Sequence, residues 1–233
     1  MQNLGGAREA DRRVTEWFLR ERARREGREP QAGGARKPQP VVTISRQFGA
    51  GGHTVAQKLV EVLGPEWQIW DRQIIDQIAE NAQIRRDMVE ALDERTQSWM
   101  DQFVKNLLGA HVMEPHGYRK HLVQVLLALG QQGHKIIVGR GANFVLRSAL
   151  NVRLHAPIEF RAEAVMRLEG IGHDEAVKQI HRVDSDRAEF TRSLFGRDID
   201  DPAGYDMVMQ TNNIGYDACV AAIAAALRTM FGG

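Results

Sequence analysis

Hydrophobic positions change their period several times along this chain. Within the polar stretch 8–26, Val14, Trp17 and Phe18 fall on one side of a helical wheel and predict a short helix. Gly27, Pro30, Gly33, Gly34, Pro38 and Pro40 then interrupt regular structure. From Val41 onward, short β-rich runs at 41–44, 67–70, 135–138, 152–155 and 205–209 are separated by longer helical ones. The helical runs are 54–63, 72–80, 86–95, 98–108, 119–129, 159–168, 174–187 and 215–230. Strands alternating with helices predict an α/β fold around a five-stranded, mostly parallel sheet.

Composition narrows the class. Of 233 residues, 43% are hydrophobic and 26% charged, with no G-X-Y period and no sustained heptad, which suits a globular core. The longest apolar run, 218–227, is ten residues, against roughly 20 for a spanning helix, so no transmembrane segment is expected. Cys219 is the single cysteine, which excludes an internal disulfide and a Cys-rich zinc site. With no apolar stretch behind the first basic residues, a cytoplasmic location is expected. Charge divides the chain: residues 1–40 carry ten Lys or Arg against six acids, net +4, and the remainder is net −3. A basic N-terminal arm and linker at 1–40 is therefore expected ahead of one domain at 41–233. The arm is a solvated tail or a docking segment for a partner, an acidic membrane or a nucleic acid. No RNA-recognition, zinc-finger or helix-turn-helix signature is present, which makes nucleic acid an unlikely partner.

The chemistry concentrates after the first strand. Ser45-Arg46-Gln47-Phe48-Gly49-Ala50-Gly51-Gly52-His53-Thr54 stands between a strand and a helix, the order in which backbone N–H groups and a helix N-terminus receive phosphate. Against GxxxxGK(S/T) the match is partial, because Arg46 holds the first glycine position and Gly52 the lysine position. Arg46 can supply the missing cation through a bidentate contact. The same glycines also suit a tight turn that packs helix on strand without a ligand. A Rossmann fingerprint is disfavoured, since Thr54 stands where its last glycine belongs. The histidines show no HExxH spacing; His111, His116, His121 and His134 read as surface or loop residues, and Cys219 as a core residue.

Several ordered segments carry a resemblance: TISRQFGAGGHTVAQKLVEVLG, IWDRQIIDQIAE, IIVGRGANFVL, VRLHAPIEFRAEAVMR and VDSDRAEF with YDMVMQTNNIGYDACVAAI. Over about 41–228 the chain resembles the cytidylate kinase-like family. The resemblance implies a P-loop kinase-like three-layer fold with an acceptor-binding helical insertion at about 71–130 and a lid at about 174–200. It implies ATP and Mg²⁺ as donor and metal, held by Gly49, Ala50, Gly51, Gly52, His53 and Thr54, with Thr54 toward the metal. Asp71 and Arg72 match the start of acceptor binding, and equally suit a helix N-cap followed by a solvated arginine. Gly139 and Arg140 match a DGRD element that reads the acceptor, with both acids replaced, by Val138 and Gly141. That departure weakens CMP as the acceptor and removes an acid from the metal shell.

Arg182, Asp184, Asp186, Arg187 and Arg192 resemble the arginine-bearing lid, with Glu189 where its last arginine would stand. The same spacing also suits surface i,i+4 pairs. The function implied is transfer of the γ-phosphoryl group of ATP to a nucleoside monophosphate or similar small acceptor, with Arg46, Arg187 and Arg192 stabilising the transferred charge. The lost lysine and acids allow a nucleotide-binding regulatory module without turnover, and the basic arm allows an adaptor.

Overall fold

The computed structural model describes residues 3–26, 39–92, 94–108 and 117–232. In chain order its elements begin with helix α1 (Asn3–Glu26), strand β1 (Val41–Arg46), helix α2 (Gly52–Leu63) and strand β2 (Gln68–Trp70). Helices α3 (Arg72–Glu80), α4 (Ala82–Glu90), α5 (Glu94–Leu108) and α6 (Gly117–Gln132) follow. Next come β3 (Lys135–Val138), the short α7 (Ala142–Val145), β4 (Leu150–His155), α8 (Ile158–Glu169) and α9 (His173–Phe195). A 3-10 turn at Pro202–Gly204, β5 (Met207–Gln210) and α10 (Thr211–Phe231) complete the chain. Two compact units result: a helical unit of Met1–Gln39 with Trp70–Gly133, and a sheet unit of Pro40–Ile69 with His134–Gly233.

The sheet has the order β2-β3-β1-β4-β5. β1 runs parallel to β3, with Ile44 opposite Val138, and parallel to β4, with Ser45 opposite Arg153. β5 continues parallel beyond β4. On one face Val42, Ile44, Val152, Leu154 and Met209 pack with Val55, Ala56 and Leu59 of α2 and Cys219, Val220, Ile223 and Leu227 of α10. The period-2 alternation of β1 and β4 sends Thr43, Ser45, Asn151 and Arg153 to the opposite face. There Thr43 Oγ1 donates to Asn151 Oδ1 at 2.7 Å. β1 stands between β3 on one side, with β2 beyond it, and β4 on the other, so the strand order reverses at β1. The carboxyl ends of β1, β3 and β4 therefore flank the crevice where such sheets bind ligands.

Helix α10 is long and apolar enough, by length and composition alone, to reach across a bilayer. Its Cys219, Val220, Ile223, Ala224 and Leu227 are nevertheless buried within the sheet unit. Gly215, at φ 77°, interrupts it, so the expected helix start at 215 marks this kink.

In the helical unit, α1 begins five residues earlier than the expected 8–26, and its Val14 and Trp17 are buried. Gln132 Nε2 donates to the Trp17 carbonyl at 3.0 Å, so this part of the basic arm is packed helix and not solvated tail. Helix α4 begins at Ala82, before the expected 86, because Asn81 Oδ1 accepts from the N–H groups of Gln83 and Ile84 and caps it there. The breaker residues Gly27, Pro30, Gly33, Gly34 and Pro38, and also His111 and His116, lie outside the described residues.

Candidate functional site

The turn after β1 is built from main-chain bonds. Gln47 N–H donates to the Leu154 carbonyl at 3.1 Å, extending the β1–β4 pairing by one residue. Ala50 N–H then donates to the Gln47 carbonyl at 3.2 Å, and Gly51 begins α2 as its N-terminal cap. Gly49 and Gly51 have φ of +82° and +79°, a region that side chains resist. Space enforces glycine as well: a Cβ on Gly49 would lie 2.7 Å from the Arg161 carbonyl oxygen, and one on Gly51 would lie 2.2 Å from the Tyr216 ring. The first N–H groups of α2, at Gly52, His53 and Thr54, have no partner within the helix and sit at its positive end. His53 is exposed and Thr54 half-buried in that first turn.

Gly52 and Arg46 are physically coupled. A Cβ on Gly52 would lie 2.7 Å from Cγ of Arg46, so the Arg46 stem covers the space that a side chain at the lysine position would take. The same arginine runs on to the end of β3, where its Nη1 lies 2.5 Å from where a Cβ on Gly139 would be. Gly139, Arg140 and Gly141 form a second turn in which all three have positive φ, 88°, 57° and 63°. For Arg140 that conformation costs about 1–2 kcal/mol. The turn holds Arg140 with its guanidinium carbon 4.3 Å from the centroid of the Phe190 ring on α9. Val138 is buried in the core, so the end of β3 carries no acid.

Helix α9 meets the first turn through side chains. Arg187 Nη1 donates to the Arg46 carbonyl at 2.9 Å, and its guanidinium stands 5.6 Å from the Phe48 ring centroid. Asp184 Oδ1 accepts the Phe48 N–H at 2.8 Å, while its Oδ2 pairs with Arg161 of α8 at 2.5 Å. Arg192 lies exposed in the last turn of α9.

Sequence reasoning passed over Arg161, and it left Asp184 without a role. It also missed a buried polar cluster on the second face of the sheet. Arg153, buried in mid-strand, donates to Ser45 Oγ at 2.7 Å and to Asp200 Oδ1 at 2.5 Å. Tyr205 Oη donates to the Ile199 carbonyl at 2.7 Å and approaches Ser45 Oγ at 3.3 Å. Burial pushes the Tyr205 hydroxyl pKa up. His155, at the end of β4, has its pKa pushed down by burial first and then by the Arg153 and Arg161 charges, against the opposite pull of Asp200 and Asp184. The signal available was an arginine between apolar neighbours inside a strand, which needs buried partners.

Of the residues expected at the acceptor end, Asp71 and Arg72 lie in the helical unit and Gly139 and Arg140 in the sheet unit. Asp71 caps α3, its Oδ1 accepting the Ile74 N–H at 3.1 Å. The Arg72 side chain is 72% exposed and stands 3.6 Å from Asp76. The N-cap and solvated-arginine alternative is thus what the local geometry displays. His121 is half-buried on α6, with its pKa pushed down by burial. His134 occupies a left-handed turn beside Trp67. Among the described residues no three His, Cys, Asp or Glu side chains gather closely enough to hold a metal ion.

A sequence model of the cytidylate kinase-like family matches residues 41–213. A cytidylate kinase of Thermococcus sibiricus is 37% identical over 97 residues, 41% of this chain, and the chain spans 50% of that relative's length. A cytidylate kinase of Pyrococcus horikoshii is 26% identical over 192 residues, covering 82% of this chain and 90% of its own. In fold, the chain is similar to the crystal structure of an uncharacterized protein from Eubacterium ventriosum, with a TM-score of 0.64 and 19% identity over 82% of this chain and 99% of that one.

Proposed function

The chain belongs to the cytidylate kinase-like family, and we propose on that footing that it transfers the γ-phosphoryl group of ATP to a nucleoside monophosphate or similar small acceptor. The observation that carries this reading is the path of Arg46. Its stem fills the room over Gly52 and its guanidinium reaches the Gly139 turn. The stem of Arg46 thus lies at the lysine position while its charge lies at the Gly139 turn, beside Arg140.

In this reading the N–H groups at the start of α2 hold the donor phosphates, and Arg46 neutralises the oxygens of the group in transit. Arg140 and Gly139 hold the acceptor end, with Asp71 and Arg72 assigned there by the resemblance. An acceptor oxygen attacks the γ-phosphorus in line as ADP leaves, a reaction that needs positioning and charge neutralisation more than covalent chemistry. Arg187, beside Arg46 and Phe48, adds charge next to the loop, and Arg192 is assigned to charge stabilisation by the resemblance. Mg²⁺ in such sites takes most of its ligands from phosphate and water. Thr54, in the first turn of α2, is assigned to that ion by the resemblance, and Mg²⁺ would supply further neutralisation of the phosphates.

A second reading, a nucleotide-binding module without turnover, is favoured by the missing acid at Val138. One experiment separates the two: ATP turnover with Mg²⁺ across a panel of nucleoside monophosphates, with calorimetric titration of ATP on the same sample. Turnover with one acceptor establishes the kinase and names its substrate. Binding without turnover establishes the module, and absence of both rejects the donor loop. Arg46→Ala is expected to weaken ATP binding by about 1.5–3 kcal/mol, the range for a hydrogen bond to a charged group. Unchanged affinity removes Arg46 from the site.

A further inference from the structure

We infer that Asp184 and Arg161 are positioning residues for the phosphate loop, clamping from α8 and α9 the backbone that leads into it. The inference rests on the reading of residues 49–54 as that loop. Between the end of β1 and Gly49 the chain leaves the sheet, so its main-chain polar groups need partners from elsewhere. Three of them are met by charged side chains. Asp184 Oδ1 accepts the Phe48 N–H at 2.8 Å, Arg161 Nη1 donates to the Phe48 carbonyl at 3.3 Å, and Arg187 Nη1 donates to the Arg46 carbonyl at 2.9 Å. The Phe48 side chain packs against Ala162, Val165, Ala176 and Ile180, the apolar seam between α8 and α9. Residue 48 is thus held by its N–H, its carbonyl and its ring at once.

The clamp also orders the charges. Arg161 and Asp184 pair at 2.5 Å with side chains only 9% and 27% exposed, so each largely cancels the other beside the loop. A carboxylate can stand there without repelling a phosphate. Asp184 further withdraws the Phe48 N–H from any ligand, which confines phosphate donors to the amides that follow. The middle of α9, assigned by resemblance to a lid, acts here as a brace for the loop.

The test uses the full chain with Asp184→Ala, Asp184→Asn and Arg161→Lys, reading amide hydrogen exchange at the bonded loop amides of Gln47, Phe48 and Ala50 and calorimetric ATP binding. In Asp184→Ala the loop amides are expected to exchange about tenfold faster or more, with ATP affinity falling by a similar factor, while β4 and α10 keep their protection. Asp184→Asn is expected to fall between, since its Oδ1 still accepts the Phe48 N–H. In turnover assays the loss should appear in KM for ATP more than in kcat. Wild-type exchange in Asp184→Ala, or faster exchange with unchanged ATP affinity, overturns the assignment. Should that variant fail to fold, Asp184→Asn and Arg161→Lys are judged by the same criteria. A wild-type chain that binds no ATP defeats the donor-loop reading instead, and the clamp is then decided by exchange alone.

Discussion

In the helical unit the side chains of Asp71, Asn81 and Arg72 act over a few positions: Asp71 serves Ile74, Asn81 serves Gln83 and Ile84, and Arg72 faces Asp76. Around the loop of the sheet unit they act across the chain. Asp184 reaches Phe48 over 136 residues, Arg187 reaches Arg46 over 141, and Thr211 Oγ1 reaches the Ala50 carbonyl over 161. The first kind of contact shapes one helix and survives wherever that helix is placed. The second kind exists only once the sheet has brought β1, β4 and the following helices together, so the loop's geometry is a property of the whole unit.

Substitutions can break this contrast, and the largest effect is expected at the glycine loop. Gly51→Ala forces a side chain into positive φ and against the Tyr216 ring, with a cost of about 2–4 kcal/mol read by urea unfolding. A cost below about 1 kcal/mol would mean that the ring gives way and the loop is locally determined after all. Next is the coupling between Arg46 and Gly52. Gly52→Lys alone collides with the Arg46 stem and should weaken ATP binding, whereas Gly52→Lys combined with Arg46→Gly should recover about tenfold of that loss. Additive losses in the pair would show that the two positions do not share one cation site.

Smaller effects are expected in the helical unit. Asp71→Ala should cost about 1 kcal/mol through loss of the α3 cap, and Asp71→Asn should restore it because asparagine caps equally well. A rise in acceptor KM in the stable Asp71→Asn variant would add a binding role to the local one. The smallest effect concerns His155. Its folded pKa lies below the ordinary 6.5, so below that pH the unfolded chain takes up a proton that the folded chain resists. Stability should therefore fall as pH drops from about 6.5 toward the folded value and stay flat above it. His155→Gln should flatten that fall, as measured by denaturant midpoints at stepped pH; an identical slope in the variant would assign the pH response to other groups.

What could be read from one dimension follows the same divide. The five strands appear within two residues of the β-rich runs, and the central β1 and β3, buried along almost their whole length, announce themselves most plainly. Helix α3 matches its expected bounds, and α4 starts earlier than expected because Asn81 caps it; it also ends at Glu90, before the expected 95. The glycine loop was legible as a strand-to-helix turn. The sequence offers Arg46 as a source of the missing charge, and only the structure shows its stem covering Gly52. Nothing in the spacing of Phe48, Arg161 and Asp184 links them, because the contacts run from a main chain to two distant helices.

The order of strands and helices, the glycine turn and its helix, and the family were within reach of the sequence. Each is written in local periodicity, in residues with unusual backbone freedom, or in motifs of contiguous residues. Which arginine serves which backbone atom, why Arg153 can be buried, and how α9 grips the loop were decided only by tertiary structure. Those contacts depend on side-chain direction across neighbouring strands and on packing between elements more than a hundred residues apart, and no local pattern encodes either.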